Sequence, residues 1–193
     1  MIVITNPTAI TNEIEIIHSL FAEGLSLLHV RKPEYSVVAM KSFLKAVGLE
    51  FKHQMVLHHH HHEVAEEFEI NRLHFPKQFR NTNVAKKEAS ISTSTHSISE
   101  FNALEKEYDY AFLSPVFPSI SKTGYSSEMD HIEAVKQRTN CNTKLIALGG
   151  ISAENAQLVL TAGFDDVALL GAIWNTTNPL ENFKRCQQIV LSF

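Results

Sequence analysis

Leu145 to Trp174 reads LIALGGISAENAQLVLTAGFDDVALLGAIW, and its order of apolar runs and glycines decides how the chain must fold. Leu145–Leu148 and Val167–Leu170 are apolar at every position, as expected of strands covered on both faces by helices. Each run stops at glycine just before a helical stretch, Gly149-Gly150 ahead of a helix over 154–162 and Leu170-Gly171 ahead of Ala172-Ile173-Trp174. Glycine lets backbone N–H groups approach an anion that a side chain would hold off. A glycine pair also simply ends strands. Two such turns in consecutive units are the stronger signal, because parallel barrels commonly seat a phosphate on the loops after their last two strands. Gly149, Gly150, Leu170 and Gly171 are therefore the candidate phosphate-binding positions, with Ser152 expected to cap the helix between them.

Outward from that segment the same unit repeats. MIVI opens a strand, Ile14, Ile17, Leu20 and Phe21 recur at helical spacing after Thr11-Asn12, and Gly24 ends the helix. Leu25–Arg31 is the next strand and Val37–Val47 the next helix, stopped by Gly48. MVLHHH begins a third unit with a helix through Val64, Ala65 and Phe68, and NRLHFP begins a fourth whose helix is weak. ASISTST, a helix over 98–104, a strand over 108–117, a helix over 132–137, and a last helix opened by Asn178-Pro179 complete the alternation. About eight strand–helix alternations predict one (β/α)8 barrel spanning residues 1–193, a closed parallel sheet inside outer helices, with an open doubly wound sheet as the alternative.

Composition excludes several classes. A chain of 193 residues with 44% hydrophobic content is expected to bury one core, and its formal net charge of -4 offers no basic field for nucleic acid. MIVITNPTAI breaks at Asn6-Pro7 and lacks a basic flank, so neither a signal peptide nor a membrane span is expected there. The two cysteines, Cys141 and Cys186, suggest neither a disulfide framework nor a zinc knuckle, and a reducing cytoplasm fits them. Barrels of this size often pair, which makes a homodimer a candidate assembly.

Taken in order, LLHVRKP, ISTSTHS, YAFLSPVFPSISKTGY and the closing GGI, ENA and AGFDDVALLGAI resemble the thiamine phosphate synthase and TenI family of thiamin biosynthesis along almost the whole chain. The resemblance implies a barrel enzyme that joins hydroxymethylpyrimidine diphosphate to thiazole phosphate and releases pyrophosphate with help from magnesium. Arg31, Ser94 and Lys122 then carry the catalytic positions, with His29, His59, His60, Ser119 and Ser121 on the diphosphate and pyrimidine side. Positive charge and hydrogen-bond donors of this kind suit a leaving diphosphate, Arg31 as a planar fork and Lys122 as a point charge.

The chain departs from the pattern at one end of the site. Where such synthases carry an Asn-Asp pair and a further aspartate to hold magnesium, it reads His59-His60 and, near Phe79, FPKQF without an acid. Imidazole is a poor ligand for that hard cation, so magnesium is implied by the resemblance but not by the residues, and no metal ligand set is assigned. The family's glutamine on the second strand is His29, and its lysine is displaced to Lys32 by Pro33. A TenI-type thiazole tautomerase, with His29, His74 or His96 as acid–base group, is the first alternative, although the strand-end position of its catalytic histidine is Pro115. A non-catalytic binder of thiazole or thiamine phosphate is the second. The run His58 to His62 invites a transition metal, for which only a subset such as His58 and His60 could share one face; the alternative is a barrel mouth with neutral histidines around an anionic ligand.

Overall fold

The structure, a computed structural model, describes residues 1–80, 89–105, 107–118 and 130–193. Its strands are β1 (Ile2–Ile4), β2 (Leu27–Val30), β3 (Met55–His58), β4 (Arg72–Phe75), β5 (Ser90–Thr95), β6 (Tyr110–Leu113), β7 (Lys144–Leu148) and β8 (Asp166–Leu169). They pair in chain order and close into a barrel, all pairs parallel, with Ile2 of β1 facing Ala168 of β8 at the seam. The closed ring decides against the open doubly wound sheet. Around it run α1 (Glu13–Ala22), α2 (Val37–Val47), α3 (Ile98–Asn102), α4 (His131–Ala134), α5 (Ala156–Ala162), α6 (Gly171–Trp174) and α7 (Pro179–Val190).

Side chains of opposite parity on each strand build two cores. Leu28 and Val30 of β2 face outward onto Ile17 and Leu20 of α1 and Met40 and Leu44 of α2, all within the main apolar cluster and fully buried. Each such leucine or isoleucine contributes about 1.5–3 kcal/mol by leaving water. The inward set is smaller. Ile2, Ile4, Tyr110, Phe112, Ile146 and Ala168 form an apolar cluster inside the ring, and it is contributed by β1, β6, β7 and β8. On β2 to β5 the inward places also hold polar side chains, and His29, His58, His74 and Ser92 are all buried.

Local chemistry explains where elements depart from the sequence reading. The helix expected through Val64, Ala65 and Phe68 is instead a tight 3-10 segment, His59–Val64, broken at His61 (φ -134°, ψ 22°). The histidines prefer other partners: His61 Nε2 lies 2.8 Å from the Lys32 carbonyl, and His62 Nε2 lies 3.1 Å from the carbonyls of Leu57 and His74. Those contacts turn both rings into the wall and leave no regular helical register. The weak fourth helix is a single turn, Lys77–Phe79. Ser36 caps α2 through the amide of Ala39, whereas Asn12 takes a left-handed conformation (φ 61°) and neither it nor Asn178 makes a side-chain cap.

One polar pair is sealed into the outer core. Lys32 Nζ lies 2.7 and 2.6 Å from the two carboxylate oxygens of Glu13 and donates to the Thr8 carbonyl at 3.0 Å. The two side chains are 0% and 4% exposed. Lys32 therefore points away from the barrel mouth, into the joint between β2 and α1.

Candidate active site

A cavity of about 510 Å³ opens at the C-terminal ends of the strands. Gly149 and Gly150 after β7 and Leu170 and Gly171 after β8 line it together with Arg31, His59, His60 and Ser94, so the two glycine turns lie on one site rather than apart.

The glycine side is stitched to the loop after β6. Val116 N–H donates to the Leu148 carbonyl at 3.0 Å and Phe117 N–H to the Gly149 carbonyl at 3.1 Å. That approach is why no side chain fits. Gly149 and Gly150 have φ of 97° and 66°, and a Cβ would lie 2.8 Å from Pro115 and 2.5 Å from the Pro118 carbonyl oxygen respectively. Ser152 does not close this turn with its side chain; Asn155 does, donating to the Gly150 carbonyl at 2.9 Å and accepting from the Ser152 amide at 2.9 Å. Gly171 begins α6, whose first N–H groups have no partner within the helix, and Gly171 itself lines the cavity.

Across the mouth stands Arg31, just past the end of β2. Its backbone is fixed by Thr5, which accepts from the Arg31 amide at 2.9 Å and donates to the Arg31 carbonyl at 3.2 Å. Its guanidinium has no hydrogen-bond or ion-pair partner among the described residues and is free to meet an anion. His96 lines the same wall, held by Nδ1 against the Ser114 carbonyl at 2.8 Å. Its backbone amide donates to Glu100 at 3.0 Å. Burial raises the Glu100 carboxyl's pKa, but the His96 amide and the Arg80 guanidinium outweigh that and hold it below its ordinary value.

Several expected site residues change place. Ser94 reaches the cavity, but its hydroxyl is engaged 3.0 Å from His74 Nε2, so it supports a histidine rather than standing free. His29 is fully buried and forms no part of the wall, whereas the neighbouring rings of His58 and His74 do line the cavity. It has no surface left for substrate. His59 stacks on Phe79 at 3.5 Å between ring centroids, and His60 is exposed at the rim. His58 turns inward to His29 and His74, not to His60. Ser119, Ser121 and Lys122 lie outside the described residues.

Two residues that the motifs passed over also line the cavity, Asn6 after β1 and Lys77 after β4. A barrel collects its site from the positions just past the C-terminal end of each strand, and that placement marks both of them in the sequence. The donor set does not fit magnesium, since no carboxylate among the described residues lines the cavity and its ring donors are the imidazoles of His58, His59, His60, His74 and His96.

Fold and site thus define a parallel α/β barrel whose candidate site sits at the C-terminal ends of its strands. The family model described as thiamine monophosphate synthase matches residues 1–173, and the chain belongs to that family. Thiamine-phosphate synthase of Anoxybacillus flavithermus is 32% identical over 107 residues, 52% of this chain and 48% of that protein, so the match spans about half the relative's length. Among solved structures, thiamine phosphate pyrophosphorylase from Bacteroides thetaiotaomicron is 30% identical with a TM-score of 0.78, covering 98% of this chain and 96% of that one. The Pyrococcus furiosus pyrophosphorylase shares the fold, with a TM-score of 0.81 at 20% identity and coverage of 99% and 95%. No helix among the described residues is long and apolar enough to cross a membrane.

Proposed function

We propose that the protein is a thiamine phosphate synthase-like transferase, joining hydroxymethylpyrimidine diphosphate to thiazole phosphate with release of pyrophosphate. The observation that carries the reading is the convergence of Gly149, Gly150 and Gly171 with Arg31 on one cavity in a chain of this family. The amides of the two glycine turns hold the thiazole phosphate, which leaves the thiazole nitrogen directed at the pyrimidine's methylene carbon. As the new carbon–nitrogen bond forms, the carbon–oxygen bond to the diphosphate breaks and its electron pair leaves with pyrophosphate. Arg31 meets the charge that develops there, in a site where preorganised donors act more strongly than in water. Lys122, Ser119 and Ser121 are proposed for the same charge on the strength of the family resemblance. No step is assigned to magnesium. A paired assembly and a cytoplasmic setting remain part of the proposal.

Proline at position 115 and synthase relatives throughout favour transfer over thiazole tautomerisation. The test mixes purified protein with both phosphorylated precursors and a divalent cation and follows thiamine phosphate by chromatography. Product supports the transferase. Tight calorimetric binding of thiazole phosphate with no product at high enzyme concentration overturns it in favour of a binding protein, and aromatisation of the thiazole alone overturns it in favour of a tautomerase.

A further inference from the structure

The three buried imidazoles at the floor of the cavity have more in common than burial. His29 on β2, His58 on β3 and His74 on β4 come from three adjacent strands, and His58 and His74 are direct partners in the ladder. One ring nitrogen from each lies within 4.8 Å of the others. His29 Nδ1 and His58 Nε2 are already 3.1 Å apart, close to the edge of about 3.4 Å that a tetrahedron of metal–nitrogen bonds near 2.05 Å requires.

Most hydrogen bonds of the three rings go to the surrounding wall rather than to one another. Only the His29 and His58 rings are joined to each other by a hydrogen bond; the His58 and His74 rings sit 4.4 Å apart between centroids with none between them. At the same depth the other side of the barrel is filled by Ile4, Phe112 and Ala168, so apolar residues serve this layer where nothing polar is needed. Burying three imidazoles is costly unless a partner satisfies them together.

The surroundings are those of ligands rather than of spare polar groups. His29 holds Tyr110 OH at 2.6 Å through Nε2, the nitrogen turned away from the cluster. His74 is held at 3.0 Å by Ser92 on Nδ1 and at 3.0 Å by Ser94 on Nε2. Outer partners of this kind fix ring orientation and tautomer around a metal. Burial, aided by neighbouring charged groups, holds all three imidazoles below the usual histidine range. His58 and His74 also line the cavity, which leaves a fourth position open to it.

We infer that His29, His58 and His74 form a three-histidine site for a divalent first-row cation of the zinc class, with its fourth position directed into the cavity. Nitrogen ligands suit zinc, cobalt, nickel or copper and not magnesium. Binding exchanges the His29–His58 hydrogen bond and one of the two serine contacts of His74 for metal bonds, while Tyr110 and the other serine stay as acceptors of the outward N–H groups. Water or an oxygen of a bound anion takes the fourth place. The inference stands whether or not the transferase reading does.

The test uses the full chain, stripped with a chelator and titrated with zinc alone against a chromophoric competitor, and separately with cobalt. One equivalent bound, a tetrahedral cobalt spectrum, and three imidazoles counted by X-ray absorption at the zinc edge are expected. His29→Gln and His74→Gln each weaken zinc by roughly 100-fold or more, and Tyr110→Phe by roughly 10-fold, while the double variant His59→Ala with His60→Ala leaves affinity unchanged. Absence of stoichiometric zinc, fewer than three imidazoles at the edge, or affinity that disappears with His59 and His60 overturns the site. The absorption measurement on the unaltered protein decides the matter if a buried substitution prevents folding.

Discussion

The barrel interior has two unlike halves. Toward the cavity, β7 and β8 end in glycine turns and the inward Ile146 and Ala168 are apolar, as is Ile4 of β1; on β2 to β5 the inward residues nearest the cavity are histidines and serines tied to one another by side chains. The glycine turns of the first half offer backbone amides, so their demands fall on backbone conformation, and glycine is the residue that meets them at 149 and 150. The second half binds through side chains, so its chemistry can be rewritten by substitution while the fold stays. Change is therefore confined by the backbone in the glycine half and open to substitution in the histidine half.

The contrast between the halves is tested most severely at its structural supports. Glu13→Gln leaves the Lys32 ammonium buried without its counter-charge beneath the histidine half, and is expected to cost about 3–5 kcal/mol in chemical denaturation, with Glu13→Gln/Lys32→Met recovering much of it. On the glycine half, Gly150→Ala forces an L residue to φ of 66° against the Pro118 carbonyl, with about 1–3 kcal/mol of backbone strain before the clash is counted. Calorimetry should show thiazole phosphate binding lost in that variant, whereas His60→Ala retains it. Retained binding would remove the glycine turns from the site.

Arg31→Ala is expected to weaken phosphate or diphosphate affinity by roughly 10- to 100-fold, the worth of one or two charged hydrogen bonds, with Arg31→Lys recovering part of it. An equilibrium titration with pyrophosphate reads this directly. The smallest effect concerns Glu100. Its folded pKa lies below the ordinary 4.5, so its contribution to stability is present above that value and is lost as pH falls through the folded pKa. Glu100→Gln should therefore lower stability at pH 7 and flatten the acid limb of the stability curve below pH 4.5, as read by denaturant midpoints.

The fold was legible because strands recur with a helical or turn segment between them, even where the third and fourth helices fail, and α2 is placed at Val37–Val47 as its spacing predicts. The glycine half was legible for the same reason, since a backbone requirement leaves its mark in residue type. The histidine half was not. Which of five consecutive histidines turns inward depends on where their neighbours' carbonyls lie, as His61 and His62 show, and His29 and His74 join His58 only once the strands are adjacent. Likewise nothing in the order Arg31-Lys32 says that one cation faces the mouth and the other is sealed against Glu13; burial decides it.

The seam between β1 and β8 sets a timetable for the growing polypeptide. Ile2 cannot find Ala168 until the far end of the ring has been synthesised, and α7 then locks α1 through Gln187, which donates to the Glu23 carbonyl at 2.8 Å. Contacts so distant along the chain form slowly. Nascent chains released before residue 169 would expose the open edges of β1 and the last completed strand to pairing with other molecules, so burial of those edges waits for translation to pass β8.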